Sequence, residues 1–185
     1  MDQFLQQVQQ LLNNNGFIML NENQKYPSIC EYGGGWQEAI YLINTRKVFL
    51  TKLIEDKSTF ISPKLYYAIR ACQGLSKMKD NERYVYEFIQ LNEPVDMKFI
   101  RLGLPIEVTE LKKAMKTLQN KLMITAIGEA KSISNNWGVY LWGTSETWER
   151  ESKGEYIFEN PQEIIVEMLA EKISDNKLKA IIMGT

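Results

Sequence analysis

The sequence predicts an α+β fold, and three observations carry that reading. Stretches with apolar residues at helical spacing alternate with short runs of β-branched and aromatic residues. Turn residues punctuate the two kinds of segment. The 185 residues are 44% hydrophobic and 24% charged, an ordinary globular balance that lets one compact domain or two small ones bury a core.

The first helix is expected over Asp2–Asn15. Phe4, Leu5, Val8, Leu11 and Leu12 repeat at helical spacing, glutamines fill the other face, and Asn13-Asn14-Asn15-Gly16 stops the run. Phe17–Leu20 reads as a short buried strand. Gly33-Gly34-Gly35 reads as a flexible loop before a helix over Trp36–Asn44, with backbone that another group could approach closely. It is not a phosphate-binding loop, because no Lys-Ser/Thr pair follows. Lys47–Ile54 and Ser58–Ser62 flank the turn Glu55-Asp56-Lys57, a β-hairpin by length and composition. Pro63 then opens a helix with Ser62 as its cap and Leu65, Tyr66 and Ile69 on its apolar side. The polar run Ser76–Asn81 is the expected boundary, so residues 1–80 form an N-terminal α/β portion.

Residues 81–150 change character. Glu82–Leu91 is a helix burying Val85, Phe88 and Ile89, with Tyr84 at its flank, and Asn92-Glu93-Pro94 breaks it. Asp96 caps a short second helix with Phe99 and Ile100 inward and Gly103 at its end. The third helix contains ELKKAMKTLQNKLMI, residues 110–124. Leu111, Met115, Leu118 and Leu122 stack on one face. Thr109, Lys113, Lys116 and Asn120 fall opposite, with Lys112 beside them. Met123–Glu129 reads as a strand, Ser132–Asn136 as a loop and Trp137–Gly143 as the returning strand. Three helices followed by a β-wing is the order of a winged helix-turn-helix, whose third helix enters the major groove. Lysines there neutralise phosphates and Asn pairs with adenine. The expected DNA-contacting residues are therefore Thr109, Lys112, Lys113, Lys116 and Asn120, with Lys131 and Asn135–Asn136 on the wing. Trp137, Tyr140 and Trp142 are assigned to the core.

Residues 151–185 form a C-terminal helical extension. Asn160-Pro161-Gln162-Glu163 carries the signature of a capping box before a helix that buries Ile164, Ile165, Met168 and Leu169. Ser174-Asp175-Asn176 turns into a second helix over Leu178–Met183, and Glu155, Glu159, Glu163, Glu167 and Glu171 face outward.

The totals exclude several functions. There is no histidine, which removes Ser-His-Asp and Cys-His chemistry and histidine-ligated metals. Cys30 and Cys72 lack metal-ligand spacing and read as free buried thiols, so neither a metal nor a cofactor is expected. No apolar run approaches a membrane span, and MDQFLQQVQQ lacks the features of a signal peptide, which makes the cytoplasm the expected location. Net charge is −1; residues 81–150 carry nine basic against nine acidic side chains, so DNA binding would rest on a local patch.

The stretches GFIML, PSICEYGGGW, VFLTKLIEDKSTFIS, PKLYYAIRAC, ELKKAMKTLQNKLMITAIG and WGVYLWG resemble the AlkZ-related proteins, over nearly the whole chain. These are small relatives of the winged-helix DNA glycosylases that unhook interstrand crosslinks. The resemblance implies a winged-helix fold and a double-stranded DNA partner. The glycosylases use a Gln-hydrophobic-Gln motif to position water, and Gln7-Val8-Gln9 matches its letters. Val8 belongs to the buried stripe of a glutamine-rich helix, so no catalytic residue is assigned to it. Short members of the family show a second Trp and a Lys soon after the first Trp, whereas QEAIYLIN follows Trp36 here. Non-enzymatic DNA binding is the expected function. The alternatives are a DNA glycosylase, with Gln7, Gln9, Glu31 and Glu38 as the nearest polar groups, and a protein-interaction module that forms a homodimer through Thr109–Asn120.

Overall fold

The computed structural model describes residues 2–74, 77–134, 137–152, 154 and 156–184. It is a mixed α+β protein with two small antiparallel sheets. Helix α1 (Asp2–Asn15) buries Phe4, Val8 and Leu12. Gly16, at a φ of 75°, turns the chain into strand β1 (Phe17–Met19). β1 pairs with β3 (Thr59–Ile61), which in turn pairs with β2 (Phe49–Thr51). Every residue of the three strands is buried, so both faces of this sheet are covered. On one side lies α2 (Trp36–Asn44); on the other lies α3 (Pro63–Gln73), where the Ser62 hydroxyl accepts from the Leu65 N–H at 3.2 Å.

The second sheet is built from β4 (Val95–Asp96), β5 (Ile124–Ser134) and β6 (Trp137–Thr144), with β6 in the middle. Three helices precede or interrupt it: α4 (Asp80–Asn92), α5 (Met97–Gly103) and α6 (Val108–Asn120). They enclose Val85, Ile89, Ile100, Leu111, Met115 and Leu118 in one cluster. The cap expected of Asp96 is present, its carboxylate accepting from the Phe99 N–H at 2.7 Å. A further helix, α7 (Ser145–Glu151), follows β6; then come α8 (Pro161–Leu169) and α9 (Asp175–Met183). A larger cluster joins side chains from distant parts of the chain, among them Phe17, Phe49, Tyr66, Leu122, Trp148 and Met168. No described helix is long and apolar enough to cross a membrane.

Several expectations need correction. Phe99 is 54% exposed, because Ile100 takes the buried position of the short α5 and Met97 packs beside it. Trp137 is 56% exposed, while Tyr140 and Trp142 are half-buried against α2 and the α4–α6 cluster. Cys30 is exposed, on a 3₁₀ turn whose Ile29 takes the inward position. β5 runs through Ser134, absorbing residues expected in a loop, with register shifts at Ala126/Gly128, Glu129/Lys131 and Ser132/Ser134. Asn160 flanks α8 without capping it, its amide donating instead to Glu163 at 2.8 Å. Ser76, Asn135, Asn136 and Glu155 lie outside the described residues.

Candidate nucleic-acid interface

Helix α6 is amphipathic as its spacing requires: Leu111, Ala114, Met115 and Leu118 are buried, and Thr109, Lys112 and Lys113 are exposed. The strand leaves it abruptly. Leu122 adopts a φ of 54° and the Met123 N–H returns to the Leu118 carbonyl at 2.9 Å, which launches β5 directly from the helix end. Two buried threonines fix this junction to the first sheet. The Thr51 hydroxyl donates to the Gln119 carbonyl at 2.8 Å. Thr125 donates to the Leu50 carbonyl at 3.0 Å and accepts from the Leu50 N–H at 2.8 Å.

That anchoring divides the outer face of α6. Its N-terminal half is open: among the described residues neither Lys112 nor Lys113 enters a salt bridge or a side-chain hydrogen bond. Its C-terminal half faces the turn between β2 and β3. Lys116 Nζ lies 2.6 Å from Asp56 Oδ2, and Asn120 Nδ2 donates to Asp56 Oδ1 at 3.2 Å. Among the described residues the Asn120 Oδ1 is buried without a hydrogen-bond partner. The hydrogen bond from Lys116 holds the Asp56 carboxyl below the usual carboxylate range, and Asn120 adds to it against the opposing effect of burial. Lys52, beside the same turn, has its ammonium destabilised by burial.

Lys131 is exposed on β5, opposite Val139 and roughly 20 Å along the strand from Ile124. It is thus remote from the helix. Trp137, at the start of β6, is exposed. Lys113 also borders an open cleft of about 520 Å³ with Lys79, Asp80, Glu82, Glu110 and Lys121. Its walls carry both signs of charge. Lys121 is committed there, donating to Glu82 at 2.7 Å and to the Lys77 carbonyl at 2.6 Å.

The polar groups named for a glycosylase reading are accounted for locally. Gln7 and Gln9 are exposed on α1 with Val8 buried between them. Glu31 accepts from the Ser28 N–H at 3.2 Å, and Glu38 from the Gly35 N–H at 3.0 Å, so both carboxylates cap helical turns. The close approach expected at the glycine loop is made by Phe4: a Cβ on Gly34 would stand 2.4 Å from its ring.

Sequence reasoning missed Asp56, Lys52 and Lys177, whose ammonium acts on the Asp56 carboxylate from α9. The turn was legible as a turn, but nothing local indicated which helix it would meet. Neither the curated proteins nor the solved structures hold a significant match to the chain. The family model described as AlkZ related matches residues 3–182, and the chain belongs to that family.

Proposed function

We propose that residues 81–150 form a winged helix that binds double-stranded DNA without catalysis, flanked by an N-terminal portion over 1–80 and an extension over 151–185. The element order α4-β4-α5-α6-β5-β6 and the sheet order β4-β6-β5 support the fold reading. The single observation that carries the function is the open N-terminal half of α6, which presents Thr109, Lys112 and Lys113 to solvent without competing partners. In this reading those three side chains meet the duplex first and Lys131 supplies a separate wing contact. Lys116 and Asn120 join only when released from Asp56. Membership of a family related to DNA-repair proteins favours the same partner.

The module is electrically neutral, so affinity would come from few phosphates and its salt dependence would be shallow. Fluorescence anisotropy of a duplex across a salt series tests this. Replacing Lys112 and Lys113 by Ala together is expected to reduce the log–log slope by about 1.8, since each phosphate contact contributes about 0.9. Absence of binding by the wild type at low salt would overturn the reading.

One observation favours a second reading, a protein-interaction module. Leu91 and Leu102 are 83% and 75% exposed, and Phe99 stands near Phe88 with ring centroids 5.9 Å apart. Light scattering that gives a homodimer, dissociated by polar substitutions at Leu91 and Leu102, would select it over DNA binding.

A further inference from the structure

The turn between β2 and β3 holds Glu55 and Asp56 at φ values of 50° and 58°, and this left-handed pair brings the Asp56 carboxylate onto α6. Two shallow clefts flank the contact. One, of about 290 Å³, is lined by Glu22, Lys52, Asp56, Lys57 and Ser58, among others. The other, of about 210 Å³, is lined by Thr117, Asn120, Lys121 and Lys177.

Around one carboxylate the fold therefore gathers Lys116 and Asn120 in direct contact, with Lys52 and Lys177 close by. Among the described residues Lys52 donates only to the Ser58 hydroxyl, at 3.2 Å, and the Lys177 ammonium has no carboxylate at salt-bridge distance. Lys52, Lys57, Lys116, Lys121 and Lys177 stand against Glu22 and Asp56 around the two clefts, although the chain as a whole carries −1. The lock is also weak. The Lys116 and Asp56 side chains are 44% and 55% exposed, and half-exposed pairs contribute little to stability.

A carboxylate and a phosphodiester both offer two acceptor oxygens and a single negative charge, so one can take the other's place on a lysine and an amide. We propose that Asp56 is an intramolecular stand-in for a backbone phosphate: it occupies an anion site formed by Lys116, Asn120, Lys52 and Lys177, from which a duplex phosphate displaces it. Displacement requires rotation of one exposed side chain. It lengthens the DNA footprint from α6 onto the β2–β3 turn and α9, elements outside residues 81–150. The inference rests on the DNA-binding reading and assigns that reading a built-in competitor.

Duplex anisotropy across a salt series, on the full chain, tests it with Asp56→Asn, Lys177→Ala and, as a charge control, Glu167→Gln on the exposed face of α8. Asp56→Asn keeps the side-chain size and removes the competing charge. It is expected to tighten binding about fivefold at an unchanged slope, since the same phosphate occupies the site in both proteins and only its competitor is gone. Glu167→Gln makes the same change in net charge and is expected to leave affinity within twofold. Lys177→Ala leaves the Asp56 contact in place and is expected to make the slope shallower by about 0.9. Equal binding by wild type and Asp56→Asn, or an equal gain from Glu167→Gln, overturns the displacement and leaves the DNA reading standing. An unchanged slope in Lys177→Ala likewise removes α9 from the site, even if Asp56→Asn fails to fold. Absence of binding by all four proteins overturns both.

Discussion

The indole N–H of Trp148 donates to the carbonyl of Val48 at 3.0 Å, joining α7 to the start of β2 across 100 positions of sequence. Trp148 is fully buried; it meets Phe49 edge-on at 5.2 Å and Tyr66 at 4.8 Å. One side chain thus fills the junction of α3, α7 and the first sheet. Trp148→Phe keeps most of the ring and removes the donor from a buried carbonyl, at an expected cost of about 1–3 kcal/mol. Trp148→Ala adds a cavity and is expected to cost about 3–5 kcal/mol. Urea unfolding followed by fluorescence and circular dichroism measures both. A phenylalanine variant as stable as wild type would show that this hydrogen bond has no net effect.

A second junction depends on pH. Glu82 on α4 accepts from Lys121 at the end of α6 at 2.7 Å and from the Lys79 N–H at 3.1 Å. Burial pushes the Glu82 carboxyl up, yet the Lys121 ammonium and the Lys79 N–H outweigh it and leave the group below its ordinary value. Because the folded value is the lower one, the stabilisation is complete above the unfolded carboxylate range. It is lost as pH falls through the folded value. Glu82→Gln is expected to cost about 1.5–3 kcal/mol at neutral pH, the scale of a hydrogen bond to a charged group. Urea midpoints of the two proteins should converge on moving from about pH 6 to about pH 3. A gap that stays constant over that range would place the effect of Glu82 in packing alone.

The glycine loop separates two reasons for glycine. Gly33 has a φ of 76° and nothing within 4 Å of an added Cβ, so Ala there meets only backbone strain, about 1–2 kcal/mol. Gly34 is in contact instead: its added Cβ would lie 2.4 Å from the Phe4 ring and 2.9 Å from the Ile29 carbonyl oxygen. Gly34→Ala is expected to cost about 1–3 kcal/mol through overpacking. Shortening the neighbour tests the cause. Phe4→Leu combined with Gly34→Ala should be less destabilised than the sum of the single variants, whereas additive losses would exonerate the ring.

What the sequence revealed was local. The Trp36–Asn44 helix, the Ser62-Pro63 start of α3 and the Asp96 cap each combine periodicity with a terminating residue only a few positions away. β4 escaped because two residues, Val95 and Asp96, show no period; it exists only through pairing with Trp142 and Leu141. α7 escaped because its seven residues are mostly charged, and its cap, Thr144, is held by Glu93 from far upstream. The candidate interface was half legible for the same reason. A 100° step placed Thr109, Lys112, Lys113, Lys116 and Asn120 on the side of α6 away from its own core. It carried no information about Asp56, 60 residues earlier than Lys116, which covers the end of that side.

The neighbours Phe99 and Ile100 put the boundary of the α4–α6 core to a direct test. Both are large and apolar, and helical spacing alone assigned both to the interior. In the fold Ile100 is fully buried, whereas Phe99 is 54% exposed and rests on Phe88. Ile100→Ala leaves a cavity among Val85, Leu111 and Leu118 and is expected to cost about 2–5 kcal/mol. Phe99→Ala removes a larger side chain but chiefly one ring contact, so its expected cost is about 1 kcal/mol. The order is the reverse of what side-chain size predicts. Urea midpoints for the two variants read it directly. A Phe99→Ala loss equal to or above that of Ile100→Ala would mean that another surface, from this chain or a second copy, covers the α5 face in solution.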